Sequence, residues 1–191
     1  MKYLVHIRPP KEVSDLIFRY RKSLAGYLKR VSRSGPHITL MTIYASIKRE
    51  KEIVKSLEEL SWQEFYVKTD DLELFKVGDE NSLFLRLKKN PVLTGLHLKV
   101  IEALKGYIKW GETPDFTEEE SRSKVYSTYG SPYYAEFYNP HISIGLVRPE
   151  IINDSRFDAS HFRSNRWTIA EFYLSSNKSH EWETVGKFFP K

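Results

Sequence analysis

The chain has 191 residues, 40% of them hydrophobic and 29% charged, and a formal net charge of +5. This balance fits one globular domain, or one domain of two lobes, rather than a disordered chain. There is no cysteine, which excludes disulfides and thiolate metal sites. The N-terminal MKYLVHIRPPKEV lacks the apolar run of a secretory signal, and no segment approaches the ~18 apolar residues of a membrane helix. A cytoplasmic protein is the default expectation. The basic surplus favours an anionic partner such as RNA or a nucleotide, with a merely solvated surface as the plain alternative.

Residues 2–7 are apolar, partly β-branched, and stopped by Pro9 and Pro10, the pattern of a strand. Val13, Leu16, Ile17, Tyr20, Leu24, Tyr27 and Leu28 then recur at spacings of three and four, which predicts an amphipathic helix from 12 to about 30. After a turn at 32–35, residues 37–44 predict a strand. Residues 46–60 predict a second helix. Strands are expected at 65–69, 72–77 and 83–87, with a turn at 78–82. Pro91 opens a third helix with an apolar stripe from Leu93 to Ile108. Residues 110–136, with an acidic run and several tyrosines, are read as a loop or lid insertion, a partly helical surface insertion being the alternative. Residues 137–147, 167–174 and 182–189 complete the strands. The expected class is α+β with largely antiparallel pairing.

The distinctive feature is a repeat. Pro36-His37-Ile38-Thr39-Leu40 returns 104 positions later as Pro140-His141-Ile142-Ser143-Ile144. Strand side chains alternate faces, so His37 and Thr39 point one way, as do His141 and Ser143, while the Ile and Leu positions point into a core. Gly145 falls on the histidine side by the same alternation and would leave room there. Two such strands related by a pseudo-two-fold axis offer two imidazoles and two hydroxyls to one ligand. Displacement at phosphorus needs a base for the attacking oxygen and an acid for the leaving one, and histidine titrates near neutrality. The Thr39 and Ser143 hydroxyls can donate to the non-bridging oxygens. Neither motif carries the closely spaced second ligand of a zinc site, so no metal or other cofactor is expected.

These paired His-x-[Thr/Ser] motifs resemble those of the 2H phosphoesterase superfamily, which includes 2′-5′ RNA ligase-like proteins and cyclic phosphodiesterases. The closing stretch 182–189 is also similar to bacterial members. The resemblance implies a bilobal α+β fold, with two largely antiparallel sheets and flanking helices around a central cleft. It implies His37 and His141 as the acid–base pair and Thr39 and Ser143 as phosphate contacts. It also implies metal-independent phosphodiesterase activity: opening of 2′,3′-cyclic phosphates, cleavage of 2′-5′ phosphodiesters, or the reverse ligation. The division of labour between the histidines stays open. The expected partner is an RNA, oligonucleotide or cyclic nucleotide substrate. The alternative is a non-catalytic module that binds RNA ends or nucleotides in the same cleft. Tyr44 and Tyr138 are candidates for stacking on a base, and Arg33 and Arg148 for touching a phosphate. His6, His97, His161 and His180 lack the tetrad context and are read as structural or exposed.

Overall fold

The computed structural model describes residues 1–31, 35–77, 80–108, 134–153, 155, 157–163, 165–178 and 181–191. In chain order it forms β1 (Lys2–Ile7), α1 (Lys11–Ser23), β2 (Leu28–Arg30), β3 (Ile38–Tyr44), α2 (Glu50–Glu58), β4 (Phe65–Val77) and β5 (Glu80–Leu87). Then follow α3 (Pro91–Leu104), β6 (His141–Val147), β7 (Arg166–Ile169), β8 (Phe172–Lys178) and β9 (Glu181–Phe188). Short 3-10 turns lie at Ile47–Arg49, Lys105–Tyr107, Ala135–Phe137 and Pro149–Asn153.

The strands run in the order β7-β4-β5-β6-β3-β1-β8-β9, with β2 added beside β6. Every pairing among the described residues is antiparallel. The fold is therefore α+β, as the element order suggests. The described strands form one continuous sheet, and its halves, β7-β4-β5-β6 and β3-β1-β8-β9, are compatible with the two expected sheets. The halves meet through a single residue pair, Ile38 opposite Ile142.

Three expectations change in detail. The helix predicted to reach residue 30 ends at Ser23, and Leu28–Arg30 is a strand on β6. The apolar residues Tyr27 and Leu28 keep helical spacing, but a sheet partner outweighs local propensity there. Residues 65–77 form one strand rather than two, interrupted by a bulge between Thr69 and Leu72. The stretch 167–174 divides at Ala170, sending β7 to one edge of the sheet and β8 into the other half. Of the 110–136 insertion, residues 110–133 lie outside the described residues, and 134–136 lead into the 3-10 turn before β6.

The helices pack on one face of the sheet. Val13, Ile17, Tyr20 and Leu24 of the α1 segment and Leu93, Leu96, Val100, Ile101 and Leu104 of α3 are buried with Ile38, Met41, Ile142 and Ile144. Asn90 caps α3, its side chain accepting from the Val92 and Leu93 amides at 2.9 and 3.1 Å, with Pro91 at the first helical position. Such a cap contributes about 1 kcal/mol. Among the described residues, no helix is long and apolar enough to cross a membrane.

Candidate active site

An antiparallel pair has a local two-fold axis between the opposed residues. Ile38 and Ile142 are opposed and both fully buried. Side chains alternate, so His37, Thr39, His141 and Ser143 project from the opposite face of the sheet. Extending the register by one residue sets Ser143 beside His37 and Thr39 beside His141. The two histidines are then diagonal neighbours, a relation that places backbones about 7–8 Å apart. Four groups that are distant in sequence thus stand in one square on one surface.

The outer neighbours obey the same axis. Ile7 pairs with Ile38 and His6 with Thr39 on one side; Leu85 pairs with Ile142 and Phe84 with Ser143 on the other. Arg86 pairs with His141, and Arg8 follows β1 at the equivalent place beside His37. Each tetrad histidine also has a ring against it. The His6 ring meets His37 edge-on at 5.5 Å, and Phe84 lies 4.7 Å from His141.

Both imidazoles are held the same way. Nδ1 of His37 lies 2.9 Å from the Gly35 carbonyl oxygen, and Nδ1 of His141 lies 2.8 Å from that of Asn139. A carbonyl only accepts, so each Nδ1 carries the proton and each neutral ring keeps its lone pair on Nε2. Burial lowers the pKa of His37, and His141, Arg21 and Arg8 lower it further, against the Gly35 bond. His141 keeps a solvent-exposed edge, yet the surrounding protein still lowers its pKa, opposed by the Asn139 bond and the charge of Glu73. The site is therefore electrically unequal. Cations flank His37, while a carboxylate faces His141.

The two strands share one further irregularity. His6 opposes Thr39 but Val5 opposes Met41, so Leu40 is an extra residue in β3. Phe84 opposes Ser143 but Leu83 opposes Gly145, so Ile144 is the equivalent extra residue in β6. A bulge leaves backbone groups unpaired by the ladder, and buried carbonyls need a donor. In β6 that donor is Arg21 of α1, whose Nε reaches the Ile144 oxygen and Nη2 the Ser143 oxygen, each at 2.8 Å. In β3 the Leu40 oxygen accepts from His97 Nδ1 of α3 at 2.7 Å, and the Thr39 oxygen from the Tyr138 hydroxyl at 3.0 Å. The helix that follows β1 thus secures the tetrad on β6, and the helix that follows β5 secures the tetrad on β3. His97 Nε2 also accepts from the Ala135 amide at 3.1 Å, and burial takes its pKa down to about 4.

The β6 bulge also corrects the reading of Gly145. Alternation breaks at Ile144, and a Cβ on Gly145 would come within 2.7 Å of the Arg30 carbonyl oxygen and 2.9 Å of Leu28 Cδ2. This glycine admits strand β2 rather than making room at the histidines.

Beside His141 lies a cavity of about 300 Å³ lined by Phe75, Phe84, Phe137, Tyr138 and Leu40, with Thr39, Ser82 and Asn139 as polar edges. Tyr138 therefore lies at the site, but its ring is stacked on His97, 3.8 Å away and inclined by 6°. Tyr44 stands at the far end of β3, exposed and under the Lys2 ammonium. Arg148 follows the end of β6, seven residues and about 23 Å of strand from His141. Arg33 lies outside the described residues, as does His180. Arg8, Arg21, Arg86 and Phe84 are brought to the tetrads without having been singled out in the sequence, and His6, read there as structural or exposed, is buried against His37. A signal existed for two of the residues that hold the bulges. Arg21 lies four residues after Ile17 and three before Leu24, and His97 four after Leu93 and three before Val100. A polar residue within a helical apolar stripe marks a buried polar contact. Among the described residues, no group of three or more His, Asp or Glu side chains is gathered as a metal site.

An antiparallel α+β sheet carrying paired His-x-[Thr/Ser] strands on one face defines a 2H phosphoesterase. The family model of the 2′-5′ RNA ligase superfamily matches residues 9–181, and the chain belongs to that superfamily. No curated protein matches the sequence. Solved structures show the same fold at low identity. E. coli LigT in apo form superposes with a TM-score of 0.63 at 14% identity, over 100% of this chain and 97% of that one. E. coli LigT complexed with 3′-AMP gives 0.63 at 15%, with the same coverage. TT0787 of Thermus thermophilus gives 0.65 at 14%, over 99% of this chain and 97% of that one.

Proposed function

We propose that this protein cleaves RNA-type phosphodiesters by acid–base catalysis between His37 and His141, acting on 2′,3′-cyclic phosphates or 2′-5′ linkages. Ligation through a 2′-5′ bond is the same chemistry in reverse. The observation that carries this reading is the Ile38–Ile142 pair, which puts both histidines and both hydroxyls on one surface. The capture of LigT with 3′-AMP supports a nucleotide ligand for this fold.

The unequal surroundings support a division of roles. His37, beside Arg8 and Arg21, favours the neutral form and serves as base. Burial lowers the pKa of His141 as well, but the charge of Glu73 favours its protonated form, and it serves as acid. In hydrolysis of a cyclic phosphate, His37 Nε2 takes a proton from water as its oxygen bonds to phosphorus. The bond from phosphorus to one ribose oxygen breaks, and His141 protonates that oxygen. Thr39 and Ser143 donate to the non-bridging oxygens as their charge grows. The nucleobase occupies the aromatic cavity beside His141.

The test is turnover of a panel of 2′,3′-cyclic nucleotides and 2′-5′ oligoadenylates, with and without EDTA. His37→Ala and His141→Ala should each lose roughly 10²–10⁴-fold in kcat, and EDTA should leave the rate intact. Wild-type turnover in both variants would end this reading. Tight nucleotide binding without turnover by the unaltered protein would favour a binding module.

A further inference from the structure

The catalytic face continues past His141 toward one edge of the sheet. Phe84 and Arg86 of β5 share this face, because they pair with Ser143 and His141. Lys88, two residues beyond Arg86, continues the alternation, and its amide donates to the Lys68 carbonyl of β4 at 2.8 Å. Lys68 in turn pairs with Arg166 of β7, and Tyr66 with Thr168. Thr69, Val67 and Phe65 alternate with them and are buried. Lys88, Lys68, Arg166 and Tyr66 therefore stand on the histidine side of the sheet. Strands lie about 4.8 Å apart, so the stripe runs about 15 Å across the sheet from β6 to the edge strand β7.

The chemistry of the stripe is uniform. Lys68, Lys88 and Arg166 are exposed, and none forms a salt bridge with a described residue. Tyr66 is 55% exposed, with the Arg166 guanidinium 4.1 Å from its ring centroid. A cation stacked on an exposed ring offers both charge and a flat surface. The carboxylates that separate the stripe from His141, Asp70 and Glu73, are both engaged by Arg86, and Asp71 is paired with Arg163. Glu64 stands exposed just before β4, at the outer end. Unneutralised cations alternating with an aromatic face suit a single-stranded phosphate backbone.

We propose that this stripe binds the backbone of single-stranded RNA running from the scissile phosphate across β5, β4 and β7, so that the protein favours oligonucleotides over cyclic mononucleotides. The proposal rests on the phosphodiesterase reading for the position of the scissile phosphate. It places that RNA on the His141 side, with Tyr66 as a stacking platform at the sheet edge.

The test uses the full chain carrying His37→Ala, to prevent turnover, and a fluorescein-labelled ten-nucleotide single-stranded RNA read by anisotropy. Binding should weaken linearly in log–log form between about 0.05 and 0.3 M salt, each backbone contact contributing a slope of about −0.7. Adding Lys68→Gln, Lys88→Gln and Arg166→Gln together should flatten the slope by about 2 and weaken binding at least ~10-fold at the low-salt end. Tyr66→Ala should weaken binding at least ~5-fold with the slope kept. A dinucleotide should bind more weakly than the ten-mer. Equal affinity for both lengths, or a triple variant with an unaltered slope, overturns the proposal. The two readings fail separately. Charge-dependent ten-mer binding by a protein that turns over no phosphodiester leaves the track and removes the enzyme. Turnover of cyclic phosphates with charge-independent ten-mer binding does the opposite.

Discussion

Arg21→Met removes the donor from the β6 bulge while keeping an unbranched apolar stem. Arg21 is 7% exposed, and its guanidinium is the partner of two carbonyls, Ser143 and Ile144, each at 2.8 Å. Leaving a buried acceptor unsatisfied costs about 1–3 kcal/mol. Two acceptors give about 2–6 kcal/mol. Burial already disfavours the charge of Arg21, and removing it offsets part of the loss, so the expected destabilisation is about 2–4 kcal/mol. Urea unfolding measures it. Catalysis should suffer in the same variant at temperatures where it remains folded. Ser143 carries a phosphate contact, and a displacement of about 1 Å can cost about 10²-fold in rate. One readout separates positioning from stability. Arg21 lowers the pKa of His37 through its charge, so its removal lets that pKa rise, and the acid limb of kcat/KM should move to higher pH. Arg21→Lys retains the charge and one donor, so it should hold the limb in place and recover part of the stability. Stability within about 0.5 kcal/mol of wild type, with kcat/KM within about twofold, would refute the reasoning.

The free-enzyme pH profile should be acidic. Both tetrad histidines lie below the ordinary 6.5, and kcat/KM reports the free enzyme, so its optimum should fall below pH 6.5 and decline above as His141 loses its proton; an optimum above about 7.5 would contradict this. Stability should fall on acidification because His97 is buried neutral. Above pH 6.5 the imidazole is neutral in both states. Below it the unfolded chain takes up a proton that the folded one refuses until about 4, a loss on the order of 3 kcal/mol across that window. His6, lowered to about 3 by burial with His37 and Arg8, adds to the trend. His97→Gln should remove its own share from urea midpoints compared at pH 7 and 4.5. Finally, Gly145→Ala should destabilise by about 1–3 kcal/mol, because its Cβ meets the Arg30 backbone. Gly95→Ala on α3, with nothing within 4 Å, should stabilise by about 0.5–1 kcal/mol in the same unfolding assay.

Much of the architecture was legible because its signals are local. Short apolar, β-branched runs marked β1 and β3 and three-to-four spacings marked α2 and α3 to within a few residues, and Pro91 marked the start of α3. The misread elements are those whose state depends on a distant partner. Residues 28–30 carry a helical pattern and become a strand because β6 lies beside them. The bulges at Leu40 and Ile144 leave no local trace, since an extra residue exists only relative to the strand it faces.

The same distinction runs through the site. The tetrads were visible as a repeat, because strand alternation ties His to the hydroxyl residue two positions on, whatever the rest of the chain does. Their sequence also settled which side of each strand is core, through Ile38 and Ile142. Pairing was another matter. That Ile38 opposes Ile142, that Arg86 rather than Arg148 stands beside His141, and that α1 secures one tetrad while α3 secures the other are relations across roughly a hundred residues of chain. Side-chain alternation is a property of one strand and can be read along it. Register and the donors that satisfy a bulge are properties of two, and only the tertiary structure decides them.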